Sequence, residues 1–556
     1  ERERASVPGA AEGSPGARRT LAIAASGALL AAALAAVVAA TRGGAGPLPT
    51  FREQACALPR EWLALTRRGY FEERSGHIAL LPRTPAYMAS GAGGWSHSGP
   101  WPYLSEVPLV FYGPGVVDSA GEVPRRATLA DVAPTIAALV GGSLPGAAGR
   151  ALPEVPASAA PRPRLVVTVV WDGGGWNVLD RFPGAWPELR RLMTEGVSYG
   201  RASVGSSPSV TPAVHTTLGT GVFPAAHGIT GVPVRDEEGE VVDSFLDGES
   251  ARFLRVPALA ERWDEAHGNR PKVGMVGYEP WHLGMIGMGA ERPGGDRDDA
   301  AWLDIESNEW TTNERHYRLP PALPATGGLE RDVMRTDAAD GRVDGAWRDN
   351  EIIGDVARVE ELPGFVHYHE RALRNLISSE GYGDDGATDL LFTNFKQIDR
   401  NGHYYNMDSP EVRDALVASD EALADLVDHL DGTVGRGGYA LVVTADHGQQ
   451  PDDSAIGGYG IDPNEVEADI AEEFGPIVRA VWPTEVFLLE DELAAAGVTV
   501  EEVARFLGDY RLRDNATRPD LAVGGAGRFE PEDRVFALAM PAAMLPDVRC
   551  PPGRPS

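Results

Sequence analysis

Three stretches of this chain end an apolar run in residues that can bind a metal or move a proton. "LVVTVVWD" ends in Asp172, "LLFTNFKQIDRNGH" carries Asp399 and His403, and "YALVVTADHG" closes on Asp446 and His447. The apolar runs read as buried parallel strands, and in open parallel sheets functional groups gather beyond the carboxyl ends. Carboxylates and imidazoles converging from three such ends suit two divalent ions, and mixed His and Asp ligation makes zinc the natural metal. Each piece alone is weak, because Asp-Gly after a strand is ordinarily a turn. Their combination carries the reading. One helix after Asp172 comes "SSPSVTPAVHTTLGTGVFPAAHGITG", Ser206 to Gly231, dense in the hydroxyls from which a nucleophile can be drawn.

Something must position these groups. "WPELRRLMTEG" reads as a helix, and "SPEVRDALVASDEALADLVDHLDG" is a strongly amphipathic one between two of the strands. This alternation predicts an α/β fold with a mostly parallel central sheet and helices on both faces. Residues 165–450 form the main core, with a mixed α+β, substrate-side insertion at about 232–385. Before it, "HIALLP" and "VPLVFYG" read as strands, and "TLADVAPTIAALVGG" as a helix stopped by glycine, within a unit spanning 45–150. A Pro/Ala-rich linker at 151–164 joins the two, residues 451–545 add further core or a cap, and 546–556 are a tail.

The chain has 556 residues, 43% of them apolar, and a formal net charge of −31. That charge argues against a nucleic-acid polymer as partner, because such binding needs a basic face. It also leaves any anionic substrate to be held by local cations. Lys272 and Lys396 are the lysines available. Residues 1–19 are polar and read as disordered. Leu21–Ala40 carries no charge over a length sufficient to span a bilayer, and Arg18 and Arg19 precede it. The expectation is a single-pass membrane anchor at about 20–41 with the catalytic part outside the cell. A cleaved export signal is the alternative.

The hydroxyl-rich segment resembles the type I phosphodiesterase/nucleotide pyrophosphatase branch of the alkaline phosphatase superfamily. The match runs through Thr211, His215, Thr217, Leu218, Thr220, Gly221, Pro224, His227, Gly228 and Ile229. The resemblance implies a phosphoester hydrolase, most readily a phosphodiesterase acting on a small substrate. Thr211 is its implied nucleophile at a helix N-terminus, with Ser209 as competitor. Asp172, Asp446 and His447 would hold one metal together with Thr211, and Asp399 and His403 the other. Lys396 is a candidate for holding a phosphoryl oxygen. In that branch the residue three after the nucleophile is an Asn that helps hold a phosphoryl oxygen; here it is Val214, a departure that leaves the oxygen to the metals and backbone N–H groups, with Lys396 as their candidate helper.

The family's second metal takes one more His after the "DHG" motif, yet His447 is the last of this chain's histidines. The family's closing pattern is found instead near the start, at His97 to Gly115 and Asp131 to Leu139. The resemblance therefore implies a circularly permuted fold in which His97 is the missing ligand, with His367 and His369 as rivals. It also implies a disulfide between Cys56 and Cys550 across the old connection. A phosphomonoesterase, a head-group phosphotransferase and a non-catalytic binding protein are the alternative functions.

Overall fold

The computed structural model describes residues 46–89, 94–156, 161–304, 307–348, 350–351, 361–515 and 529–551. The expected anchor or signal at Leu21–Ala40 and the polar segment 1–19 lie outside them. Among the described residues, no helix is long and apolar enough to cross a membrane.

A nine-stranded sheet organises the core. In chain order the strands used here are β1 (Ile78–Pro82), β2 (Glu106–Tyr112), β3 (Gly121–Val123), β4 (Leu165–Trp171), β5 (Val197–Ser203), β6 (Val273–Val276), β7 (Asp299–Asp304), β8 (Glu309–Thr311), β9 (Asp389–Phe395), β10 (Tyr439–Thr444), β11 (Val478–Trp482), β12 (Glu485–Leu488) and β13 (Phe536–Pro541). The large sheet runs β8-β7-β6-β9-β4-β10-β2-β5-β3. Strands β7, β6, β9, β4 and β10 are mutually parallel. Strand β4 is buried at every residue, as is β9, which is why both read as continuous apolar runs rather than alternating ones. Helices cover both faces, and the two largest apolar clusters lie on either side of the sheet.

Strand β2 enters this sheet antiparallel to both neighbours, β10 and β5. It brings residues from the first quarter of the chain into the middle of the core. Residues 232–385 contribute β6, β7 and β8, so this region is less an insertion than part of the sheet. Short strands such as Val273–Val276 leave too brief an apolar signal to be read alone. In the Pro/Ala-rich stretch before β4, residues 151–156 are irregular but pinned: Leu152 and Val155 are buried, and Leu152 N–H donates to Thr135 Oγ1.

A second, antiparallel sheet, β11-β12-β1-β13, has its own apolar core. It joins residue 78 to residue 541, and Cys56 and Cys550 form a disulfide beside it.

Candidate active site

The carboxyl ends of β4, β9 and β10 point Asp172, Asp399 and Asp446 to one place, each 1% exposed or less. Asp172 ends β4, where "DGGG" turns the chain sharply. A Cβ on Gly173, whose φ is +71°, would lie 2.2 Å from Gln449 Nε2 and 3.1 Å from Asp399 Cβ, so only glycine fits. Asp399 lies in the first turn of helix α2 (Gln397–Tyr405), and His403 one turn on. Thr211 opens helix α1 (Thr211–Thr220), whose free N–H groups favour an anion.

His97 reaches this cluster from the loop before β2. Its Nε2 lies 3.4 Å from Asp399 Oδ1 and 3.2 Å from His403 Nε2. Its ring stacks on His447 at 3.5 Å between centroids. Its Nδ1 bonds the Ser209 carbonyl at 2.9 Å, while the Ser209 hydroxyl donates to the His97 carbonyl at 2.8 Å. Ser209 is thereby engaged in holding the loop, and the Thr211 hydroxyl faces the cluster.

The ligating atoms fall into groups. His97, Asp399 and His403 can meet at one point, and Asp172, Asp399 and His447 at another. Asp446 Oδ2 lies 3.4 Å from His447 Nε2. Asp172 Oδ1, Asp446 Oδ2 and His447 Nε2 are buried without a hydrogen-bond partner. Orphaned buried polar atoms of this kind are costly, and a pair of divalent cations would satisfy them. The donor set therefore fits metal ions of the zinc type.

Lys396 occupies the centre. Its Nζ is 2.7 Å from Asp399 Oδ2, 3.1 Å from Asp172 Oδ2 and 3.1 Å from Thr211 Oγ1. Burial alone would depress this ammonium, but Asp172, Asp399 and Asp446 hold it above its ordinary value. Asp399 stays well below the usual carboxylate range, because Lys396 and the three imidazoles outweigh its burial. Asp446 is pushed up to about 7 by burial and by Asp172. His447, against its own burial, is held at about 9 by Asp446 and its neighbours.

Several supporting residues carry no motif of their own. Asn394 donates to Asp172 Oδ2 at 2.9 Å, and Gln449 to Asp399 Oδ1 at 2.9 Å. The Trp95 carbonyl accepts from His403 Nδ1, fixing which ring nitrogen faces the cluster. His215 and His282 lie behind Asp172, within reach of it. The rivals for His97 sit elsewhere. His369 is buried among Phe365, Phe395 and Trp310 with Nε2 on Thr393 Oγ1 at 3.1 Å, and His367 lies near Glu421. Val214, which departs from the family pattern, does not line the site. It is fully buried in the apolar core, on a helix that packs against the segments Leu129–Asp131, Val132–Leu139 and Pro280–Met285.

Above Thr211 opens a cavity of about 530 Å³. Its floor is Thr211, Lys396, Asp399, His97 and His403. One wall is Val232, Pro233, Val242 and Trp281, and the other is Arg479, Trp482 and Pro483 from β11 and the turn after it. Trp281 is fixed by its Nε1, which donates to Asp243 at 3.1 Å.

Comparison with known proteins bears on the family and the fold. Residues 166–484 match the family described as type I phosphodiesterase / nucleotide pyrophosphatase. Alkaline phosphatase PafA of Elizabethkingia meningoseptica is 25% identical over 428 residues, covering 66% of this chain and 75% of that protein. Alkaline phosphatase PhoV of Synechococcus elongatus is 25% identical over 344 residues, covering 53% and 61%. The crystal structure of wild-type PafA superposes with a TM-score of 0.53 at 22% identity, over 65% of this chain and 78% of that one, which speaks to the shared fold. The chain belongs to the type I phosphodiesterase / nucleotide pyrophosphatase family of the alkaline phosphatase superfamily.

Proposed function

We propose that the protein hydrolyses phosphodiesters through a covalent threonine intermediate, with two zinc-type ions bound by Asp172, Asp446, His447 and Thr211 on one side and by His97, Asp399 and His403 on the other. The observation that carries this reading is Thr211 Oγ1 at 3.1 Å from Lys396 Nζ, at the floor of the cleft and beside the carboxylate cluster. Bound there, the ions would acidify the Thr211 hydroxyl and polarise the phosphoryl oxygens. Thr211 attacks phosphorus, and the ester oxygen opposite it leaves as that P–O bond breaks. Lys396 stabilises the charge that develops next to it. Water then cleaves the threonyl ester and returns the free hydroxyl. The apolar walls of the cleft, Trp281 and Trp482 among them, give a second ester group a surface to lie on, which favours a diester over a monoester.

Zinc-loaded protein is expected to turn over bis-p-nitrophenyl phosphate faster than p-nitrophenyl phosphate, and Thr211→Ala to lose about 10⁴-fold or more in kcat with its fold intact. A faster monoester reaction would make it a phosphatase, the reading that the names of PafA and PhoV favour. Wild-type turnover by Thr211→Ala would remove the threonine intermediate.

We also infer that the chain order is circularly permuted relative to its family. The family match begins at 166, while β2 and His97, encoded earlier, fill the middle of the sheet and the site. The disulfide ties together segments that an unpermuted chain would run through. Termini at or near the surface make such an order tolerable. Joining 551 to 46 and opening the chain between 156 and 161 should give a folded, active protein. An unfolded or inactive product would count against the inference.

A further inference from the structure

Far along the chain from the catalytic motifs, Asp264, Asp296 and Asp298 bring carboxylate oxygens within 4.8 Å of one another. Asp264 is in the last turn of the helix Leu259–Ala266. A negative charge there opposes the helix dipole. Asp296 and Asp298 come from the loop that leads directly into β7. Asp264 is 5% exposed and Asp298 8%. Asp264 Oδ1 is buried and has no hydrogen-bond partner. A guanidinium lining the same small pocket is already engaged: Arg292 Nε pairs with Glu261 at 2.6 Å, one turn earlier on the helix. Among the described residues, no Lys or Arg forms an ion pair with the three aspartates. Burial, and then the charges of Asp264 and Asp296, push Asp298 well above the usual carboxylate range.

A cation would relieve three converging carboxylates, one with a buried, orphaned oxygen. We propose that Asp264, Asp296 and Asp298 form a structural calcium site that clamps the end of this helix to the loop before β7. The donors are oxygens alone, which suits a hard cation with six to eight ligands rather than zinc. Exposed Asp296 leaves one side open for water to complete the shell. The loop is already held in register around the site. Asn269 Nδ2 donates to the Gly294 carbonyl at 3.0 Å, and Asn269 N–H to the Asp264 carbonyl at 3.0 Å. Glu261 also accepts from Met288 N–H at 2.5 Å, so the clamp continues into the segment that carries Trp281, a wall of the cleft. The cation would thus stiffen that wall from behind without touching substrate.

The test uses zinc-saturated protein dialysed free of calcium, titrated with calcium chloride and followed by thermal unfolding. Calcium at saturation is expected to raise the midpoint by about 2–4 °C. Terbium bound in calcium's place is expected to luminesce under tryptophan excitation and to be displaced by calcium. Asp298→Asn and, separately, Asp296→Asn should abolish both effects while melting no lower than the wild type without calcium, since each removes a repulsion. Asp296 is exposed, so its variant decides the matter if Asp298→Asn does not fold. An unchanged wild-type midpoint, or an undiminished calcium effect in Asp296→Asn, would overturn the site. None of these readouts depends on what reaction the enzyme catalyses.

Discussion

Asp172, Asp399 and Asp446 at the catalytic end of the sheet form a wholly buried aspartate trio, while in the trio Asp264, Asp296 and Asp298 before β7 two members are buried and Asp296 is exposed, and the neighbours of the two trios differ. The catalytic trio surrounds a lysine, with His97, His403 and His447 beside it. The outlying trio has neither lysine nor imidazole in its ligand group. Removing carboxylates from water costs several kcal/mol each unless a counter-charge is at hand. The catalytic trio meets part of that cost from within the chain, and it keeps nitrogen donors for borderline-soft metals. The outlying trio must meet it from solution, with a metal that accepts oxygen alone. Burial marks both as sites; the accompanying cations and nitrogens separate chemistry from structure.

Lysine 396 is the residue whose loss breaks this contrast most sharply. Lys396→Ala would leave Asp172 and Asp399 facing each other with imidazoles alone, and Thr211 Oγ1 without its donor at 3.1 Å. Turnover is expected to fall about 10²- to 10³-fold, carried by kcat rather than KM, because the ammonium acts on charge that develops during the reaction. Zinc content should hold or rise, since a competing cation has gone. Steady-state kinetics with metal analysis on the same sample would decide. A pure KM effect would make Lys396 a ground-state anchor for the phosphoryl group instead.

Much of the catalytic trio could be read from the sequence because each member lies just beyond a long apolar strand, and strand ends are local signals. Asp172, Asp399 and Asp446 announce themselves in this way, and Thr211 and His97 through a family pattern. The sheet class followed from the same strands. What stayed hidden depends on pairing between distant segments. Asn394 and Gln449 look like ordinary strand-end polar residues until β9 and β10 flank β4. Trp482 and Arg479 become a wall only because β11 pairs into a sheet with β1 and β13. The outlying trio joins a helix end to a loop some thirty residues later, with no spacing that a motif could record.

Histidines sharpen the same contrast at smaller scale. His97 and His369 are both buried, and by sequence either could have been the missing ligand. His97 faces Asp399 and His403; His369 faces Phe365, Phe395, Trp310 and one hydroxyl, that of Thr393. Burial, unrelieved by any carboxylate, pulls His369 down from 6.5 to about 3. A depressed histidine contributes stability that is fully present above its unfolded value, near pH 6.5, and is lost as pH falls toward 3. At pH 5 the loss is about 2 kcal/mol. His369→Gln keeps a polar partner for Thr393 and removes the titration. Relative to wild type, the variant should therefore gain about 2 kcal/mol between pH 7.5 and pH 5, measured by denaturant unfolding at both values. A parallel decline of the two proteins would mean that His369 is not the titrating group, and that the acid sensitivity of the fold lies with the metal-binding histidines.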